Sequence, residues 1–123
     1  MSQQTILIVE DEPDTAEMFA EMMRLSGYRV IKTYGGAAAM AMLGQEIPDA
    51  LVLDLMMPDI SGLEVLRYLK RDPAFINIPV VVVTSDDQPQ TAAEVRKDGA
   101  LTLIVKPATI ESLQAVLKQA GIK

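Results

Sequence analysis

Short apolar runs alternate with helix-like segments along the whole chain, and this alternation constrains the fold more than any other feature. The runs that predict strands cover about residues 5–9, 28–32, 50–54, 79–84 and 101–105. The segments between them carry apolar residues at helical spacing and are long enough for crossover helices. Right-handed crossovers of this kind place parallel strands in one sheet that is covered on both faces. The pattern therefore predicts one doubly wound α/β domain of type (βα)5 over residues 1–123.

The sequence supports the five predicted helices unequally. Helix 1 follows Pro13, helix 2 opens at Gly35-Gly36, helix 3 starts near Gly62, and helix 5 runs over 109–120 with Thr109 as N-cap. The positions predicted to be buried in helix 1 are Ala16, Phe19, Met22, Met23 and Leu25, and we expect the Met18, Met22 and Met23 cluster to fill the core. Helix 4, at about 89–98, has the weakest apolar pattern, since its apolar residues are Ala92, Ala93 and Val95.

The strands also differ in polarity. The runs for strands 1, 3, 4 and 5 are continuously apolar, which is typical of central strands buried on both faces. Strand 2 contains Arg29 and Lys32 and suits an edge of the sheet. We therefore expect strand 2 to lie at one edge.

Composition excludes several classes of function. The chain has no cysteine for disulfides or thiolate metal sites, and no histidine to act as a general base or transition-metal ligand. The 11 basic residues are scattered and the net charge is −6, so we expect no direct nucleic-acid binding. No apolar run approaches the roughly 18–20 residues of a membrane span, and the N-terminus lacks the regions of a signal peptide. We expect a cytoplasmic domain without a membrane anchor.

Four of the predicted strands end in side chains that could bind a metal ion or take part in catalysis. Glu10 and Asp11 end the first run, Asp54 the third, Thr84 the fourth and Lys106 the fifth. Because ligands bind outside the carboxyl ends of parallel strands, we expect these groups to gather at one edge. Three carboxylates repel each other unless a cation neutralises them, and oxygen ligands favour Mg²⁺, with Mn²⁺ as an alternative.

Each of these residues also has an ordinary structural interpretation. Asp54 alone could be a surface residue that caps the next turn, and Glu10 and Asp11 could form a solvated acidic start to helix 1. Lys106 could extend its amine to solvent from an edge strand, and Thr84 could be a simple strand former. The functional interpretation rests on the whole set.

Taken together, the motifs resemble the receiver domain of bacterial two-component response regulators, over essentially the whole chain. The matching pieces are the acidic pair in ILIVEDEPD, the aspartate and the proline-glycine loop in DLMMPDISG, the Thr-Ser after strand 4 and the Lys-Pro after strand 5. The resemblance implies a flavodoxin-like sheet with strand order 2-1-3-4-5. It also implies a cis peptide bond between Lys106 and Pro107.

The resemblance further implies a role for each site residue. Asp54 would be the phospho-acceptor in a Mg²⁺-dependent reaction, with a sensor histidine kinase or a phosphotransfer protein as donor. Asp11 and Asp54 would bind the metal directly, Glu10 through water, and Met56 through its backbone carbonyl. Lys106 and the Thr84 hydroxyl would hold phosphoryl oxygens, with the Ser85 amide as a further donor. The domain would catalyse only its own phosphorylation and dephosphorylation.

The chain departs from the family where a signal is relayed to partners. Leu103 occupies the position of an aromatic switch residue, Leu101 and Thr102 stand where acidic residues are common, and Ala108 replaces an aromatic. One hypothesis is an apolar partner face on helix 4, strand 5 and helix 5, for an output domain, a partner protein or a homodimer formed on phosphorylation. The alternative is that Leu101 and Leu103 are ordinary core residues.

Three functions compete at this level. The first is a phospho-accepting signalling switch, and the second is a receiver-like interaction module that works without phosphorylation. The third is an aspartate-nucleophile phosphatase acting on outside substrates. That enzyme class typically places a D-x-D motif after strand 1, where this chain has Asp11 followed by Pro13 at the second acidic position.

Overall fold

The strands and helices alternate as the sequence predicts. The computed structural model describes residues 3–122. Within that range the elements are β1 (Thr5–Val9), α1 (Pro13–Leu25), β2 (Arg29–Thr33), α2 (Gly36–Leu43), β3 (Ala50–Leu53), α3 (Gly62–Arg71), β4 (Val80–Thr84), α4 (Pro89–Lys97), β5 (Thr102–Val105) and α5 (Ile110–Gln119). The predicted N-cap of α5 is confirmed, since Thr109 accepts a hydrogen bond from the Ser112 backbone N–H.

All five strands are parallel, and their order in the sheet is β2-β1-β3-β4-β5. The strand order and the flavodoxin-like fold class are therefore confirmed. Residue Val9 pairs with Thr33 on one side and with Leu53 on the other, so the carboxyl ends of β2, β1 and β3 lie level. This register fixes where the residues that follow each strand are placed.

Alternating side chains of the central strands pack into two separate cores, one on each face of the sheet. On the first face, Leu7, Leu51 and Val82 pack against α2, α3 and the single buried residue of α4. On the second face, Ile8 and Val52 pack against α1 and α5. Because both faces are covered, β1, β3 and β4 are buried along their whole length.

Strand β5 does not lie where its apolar sequence predicted. It pairs with β4 alone and forms an edge of the sheet. Residues 102–104 are half-buried, and Val105 is exposed. The interpretation of the apolar pattern as a buried central strand was wrong, whereas the strand order implied by the resemblance places β5 at this edge. Helices α4 and α5 shield the two faces of β5 in part, which permits apolar residues, while its outer side has no neighbouring strand. The prediction of β2 as the other edge is confirmed.

Two predicted core positions of α1 face solvent instead. The buried residues of this helix are Ala16, Phe19, Ala20 and Met23, whereas Leu25 is 73% exposed and Met18 is 43% exposed. Leu25 follows Met23 by two positions, which is about 200° around the helix axis and therefore on the opposite face. The predictions for Leu25 and Met18 were wrong, while Met23 is fully buried and Met22 is half-buried.

Helix α4 is anchored more weakly than the other helices. Its one buried residue is Val95. Polar contacts add to this anchor: Arg67 of α3 lies 3.5 Å from Glu94 and 2.8 Å from the C-cap residue Asp98, and Arg96 donates to the Thr102 hydroxyl at 3.0 Å. Such exposed polar contacts contribute little stability. No helix within residues 3–122 is long and apolar enough to cross a membrane.

We expect the backbone amides of α4 to exchange with solvent faster than those of α1. Sparse apolar burial lowers the free energy of local opening, and α1 buries four residues where α4 buries one. Hydrogen–deuterium exchange followed by NMR measures both helices in one sample, with α3 as an internal reference. Equal protection of α4 and α1 would contradict the expectation.

Candidate functional site

The residues singled out in the sequence meet at the carboxyl edge of the sheet. Backbone hydrogen bonds extend the sheet by one residue beyond its strands, from Glu10 N–H to Thr33, from Asp54 N–H to Val9 and from Lys106 N–H to Thr84. The bonded N···O distances are 3.0, 3.0 and 2.8 Å. These bonds place the side chains that follow β1, β3 and β5 at one edge, as predicted.

Three carboxylates converge there. Oxygens of Glu10, Asp11 and Asp54 all lie within 4.8 Å of one another. Glu10 and Asp54 are buried, and Asp11 is half-buried. Like charges held this close in a partly dehydrated site repel strongly, so the cluster requires positive charge nearby.

Lys106 supplies part of that charge. Its Nζ donates a hydrogen bond to Glu10 Oε1 at 2.7 Å and lies 3.6 Å from Asp54 Oδ2. From the sequence, Lys106 was expected to hold phosphoryl oxygens at Asp54, and its shorter contact to Glu10 was not predicted. The peptide bond between Lys106 and Pro107 is cis, as the resemblance implied.

The three acids differ in how they are held by the protein. Glu10 Oε2 accepts the Glu12 N–H, and Asp54 Oδ1 accepts the Met56 N–H at 3.3 Å. The Asp11 carboxylate has no hydrogen bond or ion pair to any residue in the described range 3–122. Asp11 is therefore the acid most open to an external ligand, and Glu10 the one most occupied by protein donors.

The donor set fits a hard divalent cation. All three side chains offer oxygen atoms, which Mg²⁺ and Mn²⁺ prefer. Three carboxylates against one ammonium leave an excess of negative charge that a divalent ion would neutralise. Asp11 and Asp54 would hold such an ion. The water-mediated role of Glu10 and the backbone carbonyl of Met56 as a ligand stay predictions.

Thr84 ends β4 as a buried residue beside this cluster. Its hydroxyl oxygen accepts the Asp86 N–H at 3.3 Å. The Asp86 carboxylate in turn accepts from the Gln88 N–H and the Thr91 hydroxyl, and the Gln88 bond in particular lowers the pKa of Asp86. The loop that follows β4 is therefore tied to Thr84. Ser85 is exposed, and its amide as a phosphoryl donor stays a prediction.

Gly62 has a steric role at the site that was not predicted, although the residue was recognised both as the start of a helix and as the glycine of the proline-glycine loop. A Cβ atom on Gly62 would lie 2.1 Å from the Asp54 carbonyl oxygen. The Gly62 N–H also donates to the Leu55 carbonyl at 2.9 Å. The loop from Asp54 can close against α3 only with glycine there, and a glycine eight residues after the acidic strand end was the available signal.

The residues of the predicted partner face are split between two environments. Leu101 is 44% exposed, so its interpretation as a core residue was wrong. Leu103 is half-buried and packs against the first core, which agrees with its interpretation as a core residue. A pocket of about 250 Å³ lies between β5 and α5 and is lined by Leu101, Thr102, Val116, Gln119 and Ala120.

Fold and site together define a doubly wound α/β domain with an acidic cluster and a lysine at the carboxyl edge of its sheet. The family model of the response regulator receiver domain matches residues 6–118. The polar-differentiation response regulator DivK of Brucella ovis is 31% identical over 114 residues, which are 93% of this chain and 93% of that relative.

Solved structures agree with this assignment. The signal receiver domain of a signal transduction histidine kinase from Syntrophus aciditrophicus is 31% identical and has a TM-score of 0.88, with 98% of this chain and 92% of that chain covered. The chemotaxis protein CheY4 of Vibrio cholerae has a TM-score of 0.89 at 24% identity, with 97% and 99% covered, and supports the fold.

The chain belongs to the response regulator receiver domain family. Receiver domains are signalling modules of two-component systems that interact with a histidine kinase or a phosphotransfer partner, and in general they are not enzymes.

We expect the substitution Lys106→Met to lower the free energy of unfolding by about 1–3 kcal/mol, because it leaves the buried Glu10 carboxylate without its Lys106 hydrogen-bond donor. Lys32→Met is the matched control. The Lys32 side chain is 27% exposed, against 23% for Lys106, but its partner Glu17 is half exposed. Loss of that surface pair should change the free energy by less than about 1 kcal/mol.

Urea denaturation in the presence of a chelator measures both variants. Equal losses for Lys106→Met and Lys32→Met would show that the contact to Glu10 carries no special weight.

Proposed function

We propose that this domain, spanning residues 1–123, accepts a phosphoryl group onto Asp54 and thereby changes its binding to a partner. The donor is a histidine kinase or a phosphotransfer protein. The observation that carries the proposal is the convergence of Glu10, Asp11 and Asp54 on one point, with the Lys106 ammonium 3.6 Å from Asp54. The family assignment supports the same reaction.

Asp54 acts as the nucleophile. One carboxylate oxygen attacks phosphorus, the bond from phosphorus to the donor group breaks, and an acyl phosphate forms on Asp54 while the donor leaves with the electron pair. No general base is needed, because a carboxylate is ionised at neutral pH. This agrees with a chain that contains no histidine.

The surrounding residues stabilise the charge of the transferred group. Lys106 is close enough to Asp54 for its ammonium to contact phosphoryl oxygens bound there, and the Thr84 hydroxyl can turn its hydrogen toward them while its oxygen keeps the Asp86 N–H. A Mg²⁺ ion, when bound, supplies further neutralisation of negative charge. Positioning and charge neutralisation are the main requirements of phosphoryl transfer.

The output surface of this proposal is the apolar face formed by α4, β5 and α5. Leu101, directly before β5, and Val105, at its end, are exposed, and α4 has one buried anchor. Such a face suits an output domain, a partner protein or a second copy of the phosphorylated chain. We place the reaction in the cytoplasm, which fits the lack of cysteine.

A second candidate function is a receiver-like interaction module that works without phosphorylation. The observation that favours it is Leu103, which packs against the first core and offers neither a hydroxyl nor an aromatic ring for the relay from Thr84. A phosphatase for outside substrates has less support, since Pro13 occupies the place of the second acid of its motif.

Incubation with acetyl phosphate and Mg²⁺ should add one phosphoryl group per chain, because the acidic cluster positions Asp54 for attack. Intact-mass spectrometry measures the adduct. Replacing Mg²⁺ by a chelator should abolish it, and Asp54→Asn should remove it without unfolding the protein. Asp14→Asn is the matched control, since Asp14 is an exposed acid on α1 and should leave the adduct intact.

The outcomes separate the candidate functions. An adduct on the Asp54→Asn variant would contradict the assignment of the acceptor. Absence of any adduct would favour the phosphorylation-independent module, and catalytic release of phosphate from a small phosphoester would favour the phosphatase.

A further inference from the structure

The loop that begins at Asp54, after β3, is hydrogen-bonded to the first turn of α2. Asp59 Oδ1 accepts the Gly36 N–H at 3.3 Å, and Asp59 Oδ2 accepts the Ala37 N–H at 3.1 Å. Both donors belong to the first turn of α2. The contact joins two segments that are 22 and 23 residues apart in sequence.

Helix α2 has no N-terminal cap of its own. The residue at its N-cap position is Gly35, which has no side chain, and its first turn contains no acidic residue. Free N–H groups and the positive end of the helix dipole favour a carboxylate at this place. Asp59 supplies that carboxylate from the loop after β3, and these N–H groups lower the pKa of Asp59, with the Ala37 bond as the largest cause.

The backbone of α2 is shaped to receive the loop. A Cβ atom on Gly36 would lie 2.8 Å from the Ile60 Cβ, so the two segments approach more closely than any other residue type would allow. This explains the Gly35-Gly36 pair, which the sequence analysis interpreted only as the start of a helix. The loop is therefore held at Asp59 and Ile60 in its middle and at Gly62 at its end.

The loop in turn holds the acceptor carboxylate. The Met56 N–H donates to Asp54 Oδ1 at 3.3 Å, three residues before Asp59. Between Met56 and Asp59 the buried Met57 fixes the chain against the first core. A change in the position of Asp59 would move this N–H relative to Asp54 and so turn the carboxylate.

We propose that Asp59 is a positioning residue for phosphorylation: its carboxylate, bound to the first turn of α2, fixes the loop 54–62 and thereby the orientation of the Asp54 carboxylate. Asp59 touches neither the acidic cluster nor Lys106, so it acts through the loop. The proposal rests on the proposed function of Asp54 as phospho-acceptor.

The test compares Asp59→Asn with Asp49→Asn. Asp49 is the matched control, because its carboxylate also accepts a backbone N–H from a distant segment, that of Thr5 at 2.7 Å, but at the amino end of the sheet. Both variants lose a charged acceptor and some stability. The rate of adduct formation at Asp54 is measured by intact mass as a function of acetyl phosphate concentration with Mg²⁺ present.

We expect Asp59→Asn to slow the reaction about tenfold at saturating acetyl phosphate, because small misplacement of a reacting group lowers the rate of the chemical step. Asp49→Asn should react at the wild-type rate. In NMR spectra, the amide signals of residues 54–62 should shift in Asp59→Asn and stay unchanged in Asp49→Asn.

A second variant separates positioning from helix stability. Ala38 is exposed in the first turn of α2, and Ala38→Glu adds the negative charge that this turn lacks. In the double variant with Asp59→Asn, we expect the melting temperature to recover while the phosphorylation rate stays low. Recovery of the rate together with the melting temperature would overturn the positioning role.

Failure of this proposal is distinguishable from failure of the proposed function. If the wild-type protein forms the adduct and Asp59→Asn forms it at the same rate, Asp59 is not a positioning residue and the function of Asp54 stands. If the wild-type protein forms no adduct, the proposed function fails and the role of Asp59 fails with it.

Discussion

The repulsion among three carboxylates at the edge of the sheet is the constraint on which the rest of the structure depends. Two like charges 4.8 Å apart repel by roughly 3 kcal/mol at an effective dielectric constant of about 20. Glu10, Asp11 and Asp54 contain three such pairs. The chain holds them together because Glu10 and Asp54 continue adjacent strands whose register is fixed by the sheet. The Lys106 contact to Glu10 offsets part of the repulsion.

Apolar side chains fill the interior on both faces of the sheet. The central strands are buried on both faces, and the two cores that cover them supply the stability that the acidic edge lacks. The fully buried strands β1, β3 and β4 include the two that lead directly to the acids, β1 and β3. The more weakly held elements, α4 and β5, belong to the face that we propose for partner binding. The apolar cores and the acidic cluster therefore occupy different parts of one small domain.

Much of the fold could be predicted because its signals are local. Apolar runs and helical spacing set the element order, and the rule for parallel sheets brought Asp11, Asp54 and Lys106 to one edge. Leu25 and Met18 show the limit of that approach, since an apolar residue is not a buried one when it lies on the outer face of a helix. Strand β5 shows the same limit for sheets, because composition does not reveal whether a second strand pairs with it.

Contacts between distant segments were the least accessible to prediction. The pairing of Lys106 with Glu10 depends on side-chain directions across β3 and β4, the two strands that separate β1 from β5. The attachment of Asp59 to α2 depends on the close approach of the loop after β3 to the start of α2, for which Gly35 and Gly36 were the signals in the sequence. In the sequence alone, the residues of both contacts would be interpreted as surface charges or as residues that form turns. Their importance follows from position in the folded chain.

A crystal structure of the protein soaked with Mn²⁺, with anomalous scattering used to locate the ion, tests the central claim most directly. The account predicts one strong anomalous peak in contact with carboxylate oxygens of Asp11 and Asp54, with the Lys106 amine still directed at Glu10. A peak elsewhere on the surface, or no peak with the three carboxylates turned apart, would contradict it.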